Sequence, residues 1–544
     1  MRGYQQQAVD GVFGVWESSR SALLVLPTGC GKTVVFAEVI RQVLGRTRRR
    51  AMVLAHREEL VFQAKEKIQA VTGLDAHIEM AGYSAETGLF GAPPVVVSTV
   101  QTHTVGGDGG GRMTKFDPAD FSLLVIDEAH HATASTYRRC LDWYGRNPGL
   151  KILGVTATPD RADEEALGQI FDAVAFDYEV MDAIREGWLV PVMQQMVTAN
   201  HLDLSQVRTT AGDLNAGDLA EVLNDEQCLH EIAGPSIDIS GGRRTLVFAA
   251  TVRQAERLCE IFNRHRAGCA GWVCGRTDKD ERKKTLGAFR DGKLQFVVNV
   301  GVLTEGFDDD GVEVIAMARP TKSRSLYAQM AGRGTRPHSG IAHALGGMAT
   351  GAERCAAIRA SPKPSCLIID FCGNSGRHKL VCTSDILGGN YSDEEVALAA
   401  GKARESARPV DMADALDGAR REVEDNRRRE AAKRAAIKCR AYYTAVSVDP
   451  FDVFDIIPAK ERGWNVNRAL SERQAALLAK QGISTEGMTY TQGKQLLDEV
   501  FRRWDMNLPS FKQQKVLNRN GFTAPMRRHE AKQVLDALSA GWGR

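Results

Sequence analysis

The stretch SALLVLPTGCGKTVVF, residues 21–36, decides the fold class of this chain. It begins with an apolar run, passes through the loop LPTGCGKT at 26–33 and continues into a helical pattern. Leu26 stands where the general GxxxxGK[ST] pattern has its first glycine. A strand that feeds a glycine-rich loop and then a helix is the setting of a phosphate-binding loop. The stretch therefore predicts a nucleotide site inside an α/β domain.

The residue types in this loop suit a nucleoside triphosphate and its metal ion. Gly29 and Gly31, with Cys30 between them, let backbone N–H groups close around phosphate oxygens at a helix N-terminus. Lys32 would reach the β- and γ-phosphates, and the Thr33 hydroxyl would bind Mg²⁺. The loop therefore predicts a bound nucleoside triphosphate and Mg²⁺.

Short β-branched runs alternate with helical stretches over about the first 375 residues, a pattern typical of parallel sheets with crossover helices. The nine runs are SALLVLPTG, RAMVLAHR, PVVVST, FSLLVIDEAH, KILGVTATP, RTLVFAAT, LQFVVNVG, VEVIAMARP and CLIIDF. Nine strands exceed one sheet of ordinary size, so we expect two α/β domains in tandem, at 1–190 and 191–385. Residues 182–242 interrupt the rhythm between the two sets, and residues 339–365 have no strand pattern and suggest an insertion.

The composition changes after about residue 385, where we place a helical, basic C-terminal domain over 386–544. The stretch 427–440 holds seven Lys/Arg against one Glu, and residues 461–544 hold 14 Lys/Arg against 8 Asp/Glu. An internal repeat is also visible, because 471–498 aligns with 510–536 in a pattern of two short helices joined by a glycine-containing turn.

A carboxylate pair follows the fourth of the nine runs, in LLVIDEAHH at 123–131. Asp127 at a strand end would bind Mg²⁺, and Glu128 would lie beside the attacking water as a general base. Phosphoryl transfer also needs positive charge on the γ-phosphate, which Arg333 and Arg336 of QMAGRGTR would supply from the second domain. Their spacing of three residues predicts that they share one helix face.

Overall composition sets limits without pointing to a substrate. The chain of 544 residues has a formal net charge of +2, so any nucleic-acid surface must be local. Its eleven cysteines include no CxxC pair, which argues for reduced thiols and against a structural zinc site. No apolar run approaches the length that spans a bilayer, and the first residues do not resemble an export signal. We therefore expect a cytoplasmic protein, in a bacterium or a phage-infected host, with no membrane partner.

The order of these motifs resembles that of superfamily 2 helicases, DEAD/DEAH-type enzymes with two tandem RecA-like P-loop domains. The resemblance covers about residues 1–380. The motifs are RGYQQQA at 2–8, GCGKT at 29–33, AHREEL at 55–60, STVQT at 98–102, DEAH at 127–130, TATP at 156–159, LVFAAT at 246–251, NVGVLTEGFD at 299–308 and QMAGRGTR at 329–336.

The resemblance implies roles for further residues. Gln5 would bond adenine, and the ATP cleft would also be lined by Gly306 and Asp308. Hydrolysis would be coupled to domain movement by His130, Thr156, Thr158 and Gln329. The nucleic-acid backbone would be contacted by His56, Arg57, Thr99, Gln101 and Thr304.

The residues of these motifs resemble those of the DNA-directed superfamily 2 enzymes, including restriction-type translocases and Rad25-like helicases, more than those of DEAD-box RNA helicases. The segment at 368–380 resembles the end of the second domain in phage and bacterial helicases. The resemblance implies an ATP hydrolase that acts on single-stranded, duplex or branched DNA. The alternatives are a double-strand translocase without unwinding, an RNA helicase and an ATP-switched adaptor.

The C-terminal region leaves two interpretations open. The basic stretch 427–440 is either a solvated helix or a DNA-contacting one. The repeats either bind nucleic acid or dock other replication, recombination or repair proteins. Aromatic side chains usually belong to cores, so we expect Tyr442, Tyr443, Trp464 and Trp504 to be core residues and not base-stacking ones.

Overall fold

The computed structural model describes residues 1–541, except for short segments and single positions. Those exceptions are 86–90, 106–111, 158–160, 211, 305, 308, 377, 390, 437–448, 466–467 and 523–525, together with the side chains of 161–164, 431–436 and 539–541. The chain divides into two compact units. Unit 1 comprises Met1–Asp160 and Gln169–Glu424, and unit 2 comprises Arg161–Gly168 and Asp425–Arg544.

The first sheet of unit 1 has seven strands, all parallel, in the order β3-β4-β2-β5-β6-β1-β7. The strands are β1 (Ser21–Val25), β2 (Arg50–Ala55), β3 (Ala76–Glu79), β4 (Val95–Thr99), β5 (Phe121–Asp127), β6 (Lys151–Thr156) and β7 (Ala173–Asp177). In register, Val25 of β1 pairs with Thr156 of β6, and Val155 pairs with Asp127 of β5. The carboxyl ends of these three strands therefore meet at one edge of the sheet.

The second sheet of unit 1 also has seven strands, in the order β12-β13-β11-β14-β15-β8-β16, and only the β16–β8 pair is antiparallel. Its strands are β8 (Val192–Asp203), β11 (Thr245–Phe248), β12 (Ala270–Cys274), β13 (Phe296–Val300), β14 (Val314–Met317), β15 (Cys366–Asn374) and β16 (Val410–Asp411). A small hairpin lies outside it, formed by β9 (Thr209–Thr210) and β10 (Asp213–Leu214). The prediction of two parallel-sheet α/β domains is confirmed, and each of the nine apolar runs forms a strand.

The structure corrects the interpretation of residues 182–242 as an interruption, because β8 lies there and pairs with β15 along most of its length. Sequence reasoning missed β8 because it carries glutamines in place of a β-branched run. Gln194 is fully buried and donates from Nε2 to Oδ2 of Asp370 at 2.6 Å. The OH of Tyr327 lies 2.7 and 2.8 Å from the two carboxylate oxygens of the same Asp370. A hydrogen-bonded pair of strands thus tolerates polar side chains in its core.

Helices cover both faces of the sheets. Those of unit 1 are α1 (Gly3–Trp16), α2 (Lys32–Thr47), α3 (Glu58–Thr72), α4 (Val100–Thr104), α5 (Ser135–Tyr144), α7 (Val180–Arg185), α8 (Ala216–Leu223), α9 (Glu226–Ser240), α10 (Val252–His265), α11 (Lys279–Arg290), α12 (Arg324–Ala331), α13 (Ser339–Leu345), α14 (Gly351–Arg359), α15 (Thr383–Leu387) and α16 (Asp393–Glu405). The segment 339–365, expected to lack strands, forms α13 and α14. Helix α6 (Arg161–Ile170) begins in unit 2, and α17 (Met412–Ala436) runs from unit 1 into unit 2.

Residues 386–424, which the sequence analysis assigned to the C-terminal domain, cluster with the two sheets. The reason is β16, which extends the second sheet through Val410 opposite Gln194. A two-residue strand leaves too short a pattern to detect in a sequence.

Unit 2 contains the helical repeat. Its helices after α17 are α18 (Pro450–Phe454), α19 (Glu472–Gln481), α20 (Tyr490–Asp505), α21 (Phe511–Arg519) and α22 (Arg528–Gly541). The first repeat consists of α19 and α20, and the second of α21 and α22. Three helix starts share one capping box, in Ser471/Gln474, Thr489/Gln492 and Ser510/Gln513.

The aromatic side chains of unit 2 divide between core and surface. Trp464 is buried, and the backbone of Trp464 contacts Gly168 of α6. Trp504 is 39% exposed, which corrects the expectation that it is a core residue. Tyr442 and Tyr443 lie outside the described residues. No helix in the part of the chain that the model describes has both the length and the apolar character needed to span a bilayer.

Candidate nucleotide site and nucleic-acid interface

The loop at 26–33 has the backbone geometry of a phosphate cradle. Gly29 and Gly31 have φ values of 91° and 78°, and α2 begins at Lys32 directly after them. A Cβ on Gly31 would lie 2.7 Å from Nε2 of Gln5, and the φ of 78° is one that favours glycine. Thr33 occupies the first turn of α2, as a Mg²⁺-binding hydroxyl requires. The cradle therefore fits a phosphate group, and the N-terminus of α2 favours its negative charge.

Lys32 and Glu128 form an ion pair at the base of this cradle, with Nζ and Oε1 2.8 Å apart. Both side chains are close to nine-tenths buried. Burial would raise the pKa of Glu128, but the charges of Lys32 and His130 outweigh it and hold this pKa well below its usual range. Oε2 of Glu128 is buried and accepts no hydrogen bond. The site thus holds an ionised carboxylate whose second oxygen lies 3.5 Å from Nδ1 of His130.

The turn at the end of β5 orients the side chains of Asp127 and Glu128. The backbone N–H of Glu128 donates to Oδ1 of Asp127 at 3.0 Å, and Glu128 has a φ of 50°. Non-glycine residues rarely adopt this left-handed conformation, which is typical of functional sites. The turn points the two carboxylates in different directions, and the carboxylate of Glu128 faces Lys32. An oxygen-rich site with Thr33 and Asp127 suits Mg²⁺.

The predicted coupling residues His130 and Thr156 are in contact. Nδ1 of His130 lies 3.2 Å from Oγ1 of Thr156 and 3.5 Å from Oε2 of Glu128. Thr156 is the last residue of β6, so one histidine contacts the ends of β5 and β6 at once. Thr158 lies outside the described residues. Gln329 is buried on α12.

His131, which the sequence analysis did not single out, connects two motifs. Its ring stacks on His56 at 4.3 Å between centroids and lies 4.1 Å from His130. Burial is the main cause that lowers the pKa of His56, and burial with the positive charge of His130 lowers the pKa of His131 to about 3. The only sequence signal was its place directly after DEAH.

Gln5 contacts the phosphate loop and not open space. Its Nε2 donates to the backbone oxygen of Cys30 at 3.1 Å, and its Oε1 accepts from the N–H of Arg2 at 2.9 Å. Tyr4, also missed in the sequence, donates to the same Cys30 oxygen at 2.8 Å and stacks on Tyr178 at 4.8 Å. An adenine contact of Gln5 stays a prediction.

Cys30 contributes its backbone to the loop, because its thiol lies in the core. Burial raises the pKa of this thiol to about 12, so it stays protonated at neutral pH.

Arg333 and Arg336 do not share a helix face, because α12 ends at Ala331. Gly332 follows as the C-cap, and a Cβ on it would lie 2.7 Å from the Cβ of Thr28 in the phosphate loop. Arg333 is buried and donates to the backbone oxygens of Thr304, at 2.7 and 3.1 Å, and Phe307, at 2.5 Å. Its charge also lowers the pKa of Glu128.

Arg336 lies against the phosphate loop. Its Cγ would be 3.3 Å from a Cβ on Gly29, and its charge lowers the pKa of Cys30. The backbone joins the same region, since the N–H of Val190 donates to the oxygen of Thr335 at 2.8 Å. The second sheet therefore delivers an arginine to the loop of the first.

The loop after β13 faces the first sheet at a second place. Gly306 has a φ of 73°, and its backbone oxygen accepts from Nε2 of Gln63 on α3. Arg57 donates from Nη1 to the backbone oxygen of Gly301 at 2.8 Å. Asp308 lies outside the described residues. Gly306 thus lies in the cleft between the two sheets, opposite α3.

The predicted nucleic-acid residues differ in exposure. Gln101 is exposed on α4, whereas Thr99 and Thr304 are buried. Thr99 caps α4 by accepting from the N–H of Thr102 at 3.3 Å, and Thr304 donates to the Gly301 oxygen at 3.4 Å. In this conformation the two threonines hold loops in place, and their contact with a polymer stays a prediction.

Comparisons with known proteins agree with this architecture. The family described as "Type III restriction enzyme, res subunit" matches residues 1–161, and "Helicase conserved C-terminal domain" matches residues 225–338. The IRC3 protein of Saccharomyces cerevisiae is 31% identical over 362 residues, which is 63% of this chain and 50% of that protein. The DNA 3'-5' helicase XPB of Kineococcus radiotolerans is 26% identical over 352 residues, 62% of this chain and 57% of that protein.

The solved structure of the Type ISP restriction-modification enzyme LlaBIII bound to DNA is 16% identical, with a TM-score of 0.49 over 68% of this chain and 28% of that one. The chain spans 50% and 57% of the length of the two curated relatives above. Both family models fall on the two sheets, one on each. Residues 1–161 and 225–338 therefore carry the two helicase domains of superfamily 2, one on each sheet.

Proposed function

We propose that this chain is an ATP- and Mg²⁺-dependent DNA helicase, which couples ATP hydrolysis to translocation along DNA and to unwinding or branch remodelling. One observation carries the proposal. The loop lysine Lys32, the carboxylate of Glu128 and the arginines of the second RecA-like domain converge on one cleft. Phosphoryl transfer is catalysed almost wholly by such positioned charges.

The resting ion pair has a direct chemical consequence. When ATP enters the cradle, the ammonium group of Lys32 turns to the β- and γ-phosphates and leaves Glu128. The pKa of Glu128 then rises, because its main stabilising charge is withdrawn. A carboxylate with a higher pKa is a better base toward the attacking water, so ATP binding itself prepares Glu128 to accept the proton.

The remaining groups act on charge and position. Mg²⁺, held by Thr33 and Asp127, would neutralise charge on the β- and γ-oxygens. Arg336 would stabilise the charge that develops on the γ-phosphoryl group during transfer. His130 contacts Glu128 and Thr156, so a change at the γ-phosphate reaches the end of β6. Loss of the phosphate would remove the contact that Arg336 makes with it and let the two domains move apart.

DNA is the proposed track for two reasons. The first is that the residues of the motifs resemble those of the DNA-directed branch of the superfamily. The second is that one relative bears the name DNA 3'-5' helicase. The C-terminal unit would tune substrate choice or dock replication, recombination or repair proteins. A cytoplasmic site of action in a bacterium or an infected host stays a prediction.

The decisive experiment measures steady-state ATP hydrolysis at one salt concentration. The arms are no polymer, single-stranded DNA, duplex DNA, a branched junction and RNA, with Lys32→Ala as the inactive control. Salt is fixed because phosphate-driven binding falls steeply with ionic strength. We expect one DNA form to stimulate hydrolysis most strongly, and hydrolysis to be lost in Lys32→Ala.

Strand displacement on tailed and forked duplexes then separates the mechanisms. Unwinding supports the helicase, whereas displacement of a triplex strand without unwinding identifies a double-strand translocase. Greater stimulation by RNA would overturn the DNA assignment. Stimulation by no polymer would favour an ATP-switched adaptor.

A further inference from the structure

Large apolar side chains are exposed in unit 2 far more than elsewhere. Five of the eight large apolar side chains that the described chain exposes fall within residues 501–522. They are Phe501, Trp504, Met506, Val516 and Phe522. Exposed apolar clusters of this kind mark interaction surfaces.

Three of these side chains lie at the C-terminal end of α20, and the chain just after them is hydrogen-bonded to the start of α22, where two arginines stand. The rings of Phe501 and Trp504 are in edge-to-face contact, with centroids 5.5 Å apart. The residue after Met506 accepts a hydrogen bond on its backbone oxygen from the N–H of Arg528 at 2.8 Å. Arg527 and Arg528 are both exposed at the start of α22. We call Phe501, Trp504, Met506, Arg527 and Arg528 the aromatic edge.

The exposure of this edge is not imposed by packing. The inner face of α20 is complete with Leu496, Leu497 and Val500, which are all buried in the core of unit 2. Arg503 is also buried, bonded to Glu499 at 2.8 Å and lying 4.5 Å from the centroid of Phe454. Trp504 follows Val500 by four residues and so lies at the C-terminal end of the same helix face, with Phe501 at its border, yet both side chains stay exposed.

The repeat provides an internal comparison for this surface. Ile483 and Phe522 occupy equivalent positions after α19 and α21. Ile483 is 2% exposed, whereas Phe522 is 39% exposed. The second repeat has thus turned a core position into a surface one, on the same unit as the aromatic edge.

The positive charge around the aromatic edge indicates which kind of ligand it binds. Residues 490–541 hold nine Lys/Arg against five Asp/Glu, and setting aside the paired Glu499, Arg502 and Arg503 leaves seven against four. A basic surface with exposed rings suits a strand of phosphates with unpaired bases, because duplex bases are already stacked on one another. An apolar protein surface would gain nothing from Arg527 and Arg528.

We propose that the aromatic edge binds single-stranded nucleic acid, with Trp504 and Phe501 stacking on unpaired bases and Arg527 and Arg528 contacting phosphates. The inference rests on the proposed function, for which an unwound strand is a natural ligand. It assigns to unit 2 a binding site of its own, separate from the residues that line the cleft of unit 1.

The test measures fluorescence anisotropy of a labelled oligothymidylate of about 20 nucleotides, longer than a typical single-strand site. The full chain is titrated without nucleotide at fixed salt. Trp504→Leu keeps an apolar side chain but loses the ring, and Trp504→Phe keeps a ring. We expect Trp504→Leu to weaken binding about tenfold and Trp504→Phe to bind within about threefold of the parent.

A charge variant and its matched control complete the design. Arg527→Gln with Arg528→Gln should weaken binding and flatten the dependence of log Kd on log salt, by about 0.7 for each phosphate that the variant no longer neutralises. Arg473→Gln with Lys480→Gln removes two exposed charges from α19 of the first repeat and should leave the slope nearly unchanged. Thermal unfolding of each variant confirms that unit 2 stays folded.

Unchanged binding by Trp504→Leu would overturn the proposal, and it is the result expected if the edge docks an apolar protein surface. An oligouridylate arm shows whether the site distinguishes DNA from RNA. Because binding is measured without ATP, the outcome does not depend on hydrolysis by the motor. If no polymer stimulated hydrolysis, the proposed function would be contradicted, but the result for binding at the aromatic edge would still stand.

Discussion

The ammonium group of Lys32 lies 2.8 Å from Oε1 of Glu128, so the phosphate loop and the end of β5 compensate each other's charge. The pair is largely buried, and the buried Oε2 of Glu128 accepts no hydrogen bond. A buried charge that loses its partner is destabilised by several kcal/mol. In the proposed function, nucleotide binding would exchange this pair for lysine–phosphate contacts, and the exchange would let a carboxylate with a low pKa serve as the base.

Glu128→Gln should separate nucleotide binding from hydrolysis. Glutamine cannot accept the proton of the attacking water, so we expect kcat to fall by about 10²–10⁴-fold, the range of general-base contributions. ATP affinity should be retained or improved, because Lys32 no longer has to leave a carboxylate. Single-turnover hydrolysis and equilibrium binding of a fluorescent ATP analogue measure the two quantities.

The matched control for this change is Glu226→Gln, which removes a carboxylate from an exposed pair with Arg257. It should alter neither quantity. Weaker ATP binding in Glu128→Gln, with hydrolysis of the bound fraction unchanged, would contradict the assignment of Glu128 as the base.

Arg336→Ala should affect mainly kcat, whereas Arg333→Ala should also affect stability. Arg336 is half-buried against the phosphate loop, so its loss should lower kcat by about 10³-fold, as for an arginine finger, with little change in stability. Arg333 is buried and holds the loop after β13 through two backbone oxygens, so its loss should also lower the free energy of unfolding by about 2–4 kcal/mol.

Steady-state kinetics and urea unfolding of both variants distinguish these roles, with Arg264→Ala, on the exposed end of α10, as the control. Normal kcat in Arg336→Ala together with a loss of DNA binding would move this residue from the phosphate to the polymer.

His131→Ala should reduce stimulation by DNA while leaving basal hydrolysis nearly unchanged. His131 fills the space between His56, next to Arg57, and His130, which contacts Glu128. Ring contacts of this kind contribute about 0.5–1.5 kcal/mol, so we expect the ratio of stimulated to basal rate to fall up to about tenfold. The measurement is the rate at saturating DNA divided by the rate without it.

His131→Phe tests whether the ring itself matters, because it preserves the stack and removes both nitrogens. It should keep most of the stimulation, since the low pKa of His131 leaves it uncharged at neutral pH. His201→Ala, on an exposed histidine paired with Glu231, is the control. Equal loss in the Ala and Phe variants would show that a nitrogen is needed and not the stacked ring.

Sequence patterns predicted the parts of this molecule that depend on local chemistry. The nine apolar strands, the glycine loop and the carboxylates at the end of β5 were all readable, because each depends on a few neighbouring residues. The long strand β8 was not, because its buried Gln194 is compatible with a core only through Asp370, 176 positions away. Nor could the sequence show that α12 ends at Ala331, where Gly332 packs closely against Thr28 of the phosphate loop. Long-range packing is what separates the two cases.

Lys363 should make stability depend on pH between about 8 and 10.5. It is 1% exposed, donates from Nζ to the backbone oxygen of Asp310 at 2.8 Å, and burial lowers its pKa from 10.5 to about 8. In this window the unfolded chain still binds a proton that the folded chain has released. The free energy of unfolding therefore rises with pH, by about 3 kcal/mol across the whole window for this group.

Lys363→Met isolates this contribution, because methionine fills similar space without a titratable group. Urea unfolding at pH 7, 8, 9 and 10 should show the parent gaining stability relative to Lys363→Met as pH rises. The nearby Cys366, Asp310, Arg336 and Asp309 influence the titration of Lys363, so their interactions with its charge are part of the measured difference. Lys293→Met, on a side chain that is 73% exposed, should follow the parent at every pH. Parallel pH profiles for the parent and Lys363→Met would mean that Lys363 stays charged in the fold, held by the backbone oxygen of Asp310.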